Sequence, residues 1–134
     1  MTFQILPGLW IGNYNNTKFI LDKNISIIIN CTKYINNFNI NTKIYKLNVL
    51  DEHTLINNLD SILNYIHKNI ADKNILIYDI TNQQKGETIL LCYILREGNI
   101  NLKPALKLLR TKFPNCFKNG IIFRNCIKNY SKIV

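Results

Sequence analysis

The stretch from Ile75 to Leu95 constrains the fold more than any other. A short apolar run, Ile75 to Ile77, leads through the polar loop Asp79 to Lys85 into Thr88 to Leu95, which is apolar all round. A short apolar run bounded by polar residues reads as a strand buried on both faces of a sheet. A segment with no polar face reads as a helix enclosed in the core. A buried strand feeding a buried helix points to an α/β architecture, with the helix packed back on the sheet. The intervening loop then faces a helix N-terminus, where free backbone amides and the helix dipole favour anions.

The rest of the chain fits around this unit. Ile25 to Cys31 is a second buried-strand pattern, and Lys43 to Val49 alternates in the manner of a strand nearer the sheet edge. Before Ile75 lies a helix with Leu55, Ile56, Leu59, Ile62, Leu63 and Ile66 on one face, at spacings of three and four. Phe3 to Ile5 and Leu9 to Ile11 flank the turn residues Leu6-Pro7-Gly8 and read as an edge hairpin. Asn16-Thr17 then caps a short helix through Leu21. Two amphipathic helices close the chain, one carrying Leu102, Ala105, Leu106 and Leu109, the other Ile121, Ile122, Cys126, Ile127 and Tyr130. With no repeat or linker, residues 1–134 are expected to form a single α/β domain, a central mixed or parallel sheet flanked by helices with a helical C-terminal half.

Charge and cysteine usage narrow the function classes. The net charge is +9, and residues 96–134 hold nine basic side chains against Glu97 alone. Such a face attracts an acidic protein surface, a phosphorylated segment or nucleic acid. The alternative is a set of solvated helix faces in a lysine-rich coding background. Cys31, Cys92, Cys116 and Cys126 lack metal-ligand spacing and read as reduced, structural residues. His53 and His67 have no paired carboxylate or cysteine at ligand spacing. The aromatic residues show no basic-aromatic interleaving of the kind that stacks on bases. The longest apolar run, Ile89 to Leu95, is far below the roughly 18 residues of a membrane span. The residues Met1-Thr2-Phe3 do not open a signal peptide. A soluble, cytoplasmic protein without membrane contact, metal or cofactor is expected.

The segment Ile75-Leu76-Ile77-Tyr78-Asp79-Ile80-Thr81-Asn82-Gln83-Gln84-Lys85-Gly86-Glu87-Thr88 resembles the signature segment of cysteine-dependent dual-specificity protein phosphatases, aligned without a gap. That family has an apolar strand, His-Cys, five residues, Arg-Ser, and a buried helix. Other landmarks occur in the family's order. Ile5-Leu6-Pro7-Gly8-Leu9-Trp10-Ile11-Gly12-Asn13 is similar to its first strands, and Ile27 to Thr32 to the strand that follows. Asn48-Val49-Leu50-Asp51 falls at its general-acid loop and Phe113-Pro114-Asn115 near its C-terminus. The resemblance spans essentially the whole chain and implies a small dual-specificity-phosphatase-like domain.

The reactive positions depart from that pattern. Asp79 stands where the family has its nucleophilic cysteine, which works as a low-pKa thiolate at the helix N-terminus. Lys85 stands where an arginine grips two phosphate oxygens, and an ammonium is a point charge without that planar fork. Tyr78 replaces the histidine, Asn82 a glycine, and Gly86 the hydroxyl residue that assists the leaving group. Asp51 matches the general acid, but an acid without a nucleophile has nothing to complete, and it reads as an exposed loop aspartate. The resemblance therefore implies a pseudophosphatase that binds a protein partner, phosphorylated or acidic, rather than hydrolysing it. Two other readings stay open. One is weak phosphatase activity, on protein or RNA 5′-phosphate, through Asp79, Lys85 and Asp51. The other is binding of nucleic acid or an acidic partner by the basic C-terminal face. Asp79 itself is expected to act as an internal anion, accepting hydrogen bonds from loop amides and the helix start near Gly86.

Overall fold

The computed structural model describes residues 2–12, 17–32, 42–47, 51–80 and 83–131. Five strands form one sheet: β1 (Thr2–Leu6), β2 (Leu9–Gly12), β3 (Ile25–Asn30), β4 (Lys43–Lys46) and β5 (Asn74–Tyr78), in the order β1-β2-β5-β3-β4. β1 and β2 are antiparallel and the remaining pairs parallel, so the sheet is mixed with its hairpin at one edge. The hairpin turns through Pro7 and Gly8, and Gly8 has a φ of 84°, a backbone that side chains disfavour. At the opposite edge β4 reads Lys-Ile-Tyr-Lys, with Lys43 and Ile44 exposed and Tyr45 and Lys46 half-buried. It is shorter than Lys43 to Val49, because the chain has left the sheet by Leu47; Val49 lies outside the described residues.

The helices are α1 (Thr17–Asp22), α2 (Glu52–Asn69), α3 (Lys85–Gly98), α4 (Leu102–Lys112) and α5 (Arg124–Tyr130). The side chains of β5 alternate: Ile75 and Ile77 enter the main core, whereas Leu76 and Tyr78 enter a smaller cluster with Ile20, Ile25 and Ile28. In β3, Ile25 breaks this alternation relative to Ile27, where a register shift interrupts its pairing with β5. The main core lies on the sheet face covered by α2, α3, α4 and α5. α2 contributes Leu55, Leu59, Ile62, Leu63 and Ile66, each fully enclosed. Burying one such side chain contributes about 1.5–3 kcal/mol, so this stripe fixes the helix on the sheet.

α3 is the central helix of this layer, with every residue from Gly86 to Leu95 buried. It starts at Lys85, three residues before the apolar run begins, and brings the polar Glu87 and Thr88 into the interior. α5 starts only at Arg124, so Ile121 and Ile122 belong to the preceding loop rather than to the closing helix. The Ile122 amide donates to the Gln84 side chain (2.8 Å) instead of to a helical carbonyl, leaving its own side chain 57% exposed. Among the described residues no helix is long and apolar enough to cross a membrane.

Candidate functional site

β2, β3 and β5 end together, with Gly12 and Asn30 both opposite Tyr78 in the register. The chain leaves β5 at Asp79, whose amide donates to the Gly12 carbonyl (2.9 Å), so the sheet itself fixes this backbone. Tyr78, where the resembled motif has a histidine, is buried in the smaller cluster, and its carbonyl accepts from Cys31 N (2.8 Å).

The Asp79 side chain is 5% exposed. Its Oδ2 accepts from Gly86 N at 2.7 Å and its Oδ1 from Ile80 N at 2.8 Å. One carboxylate thus bridges the start of the loop and the first turn of α3, taking amides that otherwise point into the loop. Gly86 permits this closeness. A Cβ there would stand 2.9 Å from Ile77 Cγ2 and 3.2 Å from Asp79 Cβ, so the hydroxyl residue of the family pattern has no room in this arrangement.

Burial pushes the Asp79 carboxyl up to about 6, against the pull of the Gly86 and Ile80 amides and the Lys85 ammonium; neighbouring Glu87 adds to the rise. The hydrogen bonds expected of an internal anion are therefore present, but desolvation outweighs them. Ionised Asp79 costs the fold more than the helix end returns. Lys85 opens α3 in a half-buried position and makes no ion pair with Asp79, although its charge lowers the carboxyl's pKa. Asn82 lies outside the described residues.

Two polar residues to which the motif assigns no part, Gln84 and Glu87, fasten the loop in place. Gln84, at the N-cap of α3, has a φ of 63°, an uncommon conformation for a residue with a side chain. Its amide group bridges the loop to the segment before α5, donating to Gly120 O (2.7 Å) and accepting from Ile122 N (2.8 Å). Its carbonyl accepts from Thr88 Oγ1 (2.6 Å) and Thr88 N (3.0 Å). Glu87, 8% exposed, accepts from Phe117 N (2.9 Å) and holds that residue at a φ of 55°. Burial raises the Glu87 pKa against that hydrogen bond. The only sequence signal for either was a polar residue at a helix start, because their partners lie 30 to 38 positions away.

Asp51 is not a free loop aspartate. It caps α2, its Oδ1 accepting from Thr54 N and Thr54 Oγ1, both at 2.8 Å. These bonds hold its pKa below the usual carboxylate value, so it carries no proton to donate at neutral pH. Asp51 is exposed and engaged with its own helix. His67 keeps a side chain 61% exposed, with its Nδ1 3.5 Å from a Glu97 carboxylate oxygen and 3.3 Å from Tyr93 Oη where α2 packs on α3. The four cysteines are free and buried, and burial pushes the thiols of Cys31, Cys92 and Cys116 well up, and that of Cys126 to about 11. None of them is the low-pKa thiolate that phosphoryl transfer to sulfur requires.

No family model matches the chain. It is 25% identical over 117 residues to protein 123R of Invertebrate iridescent virus 6, which carries the name of a tyrosine phosphatase; the match covers 84% of this chain and 82% of that protein. Among solved structures, human DUSP28 superposes with a TM-score of 0.80 at 13% identity, covering 98% of this chain and 93% of that one. The human tyrosine phosphatase-like serine/threonine/tyrosine-interacting protein gives 0.80 at 16% identity, covering 96% and 94%. The strand order and these superpositions give the chain the fold of the dual-specificity phosphatases.

Proposed function

We propose that this domain is a catalytically inactive phosphatase-fold module whose activity is binding, with a protein as its partner. The observation that carries the reading is the Asp79 carboxylate hydrogen-bonded to the Gly86 and Ile80 amides. Amides at a helix N-terminus and in the loop leading into it are ready-made partners for an anion, and here an anion of the chain itself takes two of them. A carboxylate with both oxygens engaged and 5% exposure is also badly placed to attack phosphorus. Lys85 offers a point charge where transition-state oxygens need a fork, and capped Asp51 holds no proton for a leaving group. These features weigh against residual phosphatase activity through the same three residues.

The test is turnover of a small aryl phosphate and of a phosphotyrosine peptide. Wild-type protein is expected to release no more phosphate than an Asp79→Ala control. Turnover above that control would show that Asp79 does chemistry and would overturn the reading.

A further inference from the structure

We propose that the outer face of α4 is the docking surface for an acidic segment of the partner protein, one with apolar residues among its carboxylates. Leu102, Lys103, Leu106, Lys107, Arg110 and Thr111 line a shallow, open groove on this helix. Lys103, Lys107 and Arg110 recur at spacings of four and three and so share one face, spanning about 10 Å along the axis. Leu102 and Leu106 lie half-buried beside them, one turn apart.

The charge on this face is uncompensated. No acidic residue occurs from Gly98 to Val134. Among the described residues, Lys103 and Lys107 meet no carboxylate. Arg110 is held in place by donating Nε to Cys116 O (3.1 Å) and Nη2 to Phe117 O (3.4 Å), which orients its fork at the end of the groove with donors to spare. A row of cations along an apolar floor complements a ligand that alternates carboxylates with aliphatic side chains.

Other occupants fit less well. A nucleic acid strand would satisfy the cations, but the groove offers no aromatic ring for a base to stack on, and Leu102 and Leu106 would face phosphates. A second copy of this chain, at +9, brings repulsion. The inference deepens the proposed binding role, since it names where the partner sits and what chemistry it presents.

The experiment is an amide NMR titration of the full chain with a helix-forming peptide of about 14 residues, bearing two leucines one turn apart among glutamates. Two comparison ligands are a peptide with both leucines changed to serine and a single-stranded oligonucleotide. Saturable shifts are expected to cluster on 102–111. Lys103→Glu with Lys107→Glu should weaken binding about tenfold or more, Lys103→Gln with Lys107→Gln by less, and Lys118→Glu with Lys128→Glu by less than about twofold. The serine peptide should bind at least about fivefold more weakly than the leucine peptide. Folding of each variant is read from the same spectra. Absent or scattered shifts, equal binding of the two peptides, an unaltered affinity in the Glu variant, or tighter groove-dependent binding of the oligonucleotide would each overturn the assignment. Aryl-phosphate turnover reports separately on the inactive-module reading, so the two fail in distinguishable ways.

Discussion

Asp79→Cys alone is expected to give no useful turnover of an aryl phosphate, and Asp79→Cys combined with Lys85→Arg to exceed it by about a hundredfold or more. A thiol at position 79 would inherit the amides of Gly86 and Ile80 and the N-terminus of α3, which together favour the thiolate. The nucleophile would then exist without a transition-state clamp. Lys85 sits at the first position of α3, half-buried, and donates as a single centre. An arginine at the same backbone position brings paired donors that match two equatorial phosphate oxygens. Even the double variant is expected to stay slow, because Asp51 is tied to Thr54 and holds no proton at neutral pH. Initial-rate measurements on both variants decide the point. Equal rates for single and double variant would refute the part assigned to Lys85.

Stability should fall as pH rises through about 6, and Asp79→Asn should remove most of that fall. In the unfolded chain Asp79 has an ordinary carboxylate pKa near 3.8, whereas burial raises the folded value to about 6. A raised folded pKa means that the native state holds a proton the unfolded state has already released. Its stabilising effect is therefore complete below about pH 4 and lost by about pH 7. A difference of this size corresponds to roughly 2–3 kcal/mol, large against the stability of a small domain. Glu87 shifts in the same direction, so the slope left in Asp79→Asn reports on it. Denaturant unfolding from pH 4 to 8 is the measurement. A wild-type stability that rises over this interval, or a variant with the wild-type slope, would contradict the assignment of the buried carboxyl.

Much of the fold could be read from the sequence because its signals are local and periodic. The apolar stripe of α2, the all-apolar Thr88 to Leu95 and the turn at Pro7-Gly8 each depend on neighbours within a few residues. The start of α5 is not legible in the sequence, for the opposite reason. Ile121 and Ile122 fit a helical period, yet the Ile122 amide is claimed by Gln84, which lies 38 residues earlier. The same distance hid Gln84 and Glu87 as the residues that fasten the loop to the segment carrying Phe117 and Gly120. Asp51 was legible in principle, since Asp followed three residues later by Thr54 ahead of an apolar stripe is a helix-cap pattern. The motif located Asp79, but not the balance of forces on it. A helix N-terminus argues for a stabilised anion, and only the depth of burial shows desolvation to be the larger effect.

In the binding role proposed above, the chain's own carboxylate takes the place of a bound phosphate. Amide NMR at neutral pH with inorganic phosphate as titrant tests it most directly, read at Gly86 and Ile80 in wild type and in Asp79→Ala. No saturable shift is expected at these amides in wild type. In Asp79→Ala clear saturable shifts are expected at both, with a rise in melting temperature as phosphate fills the vacated amides. Wild-type shifts as large as those of the variant would contradict it.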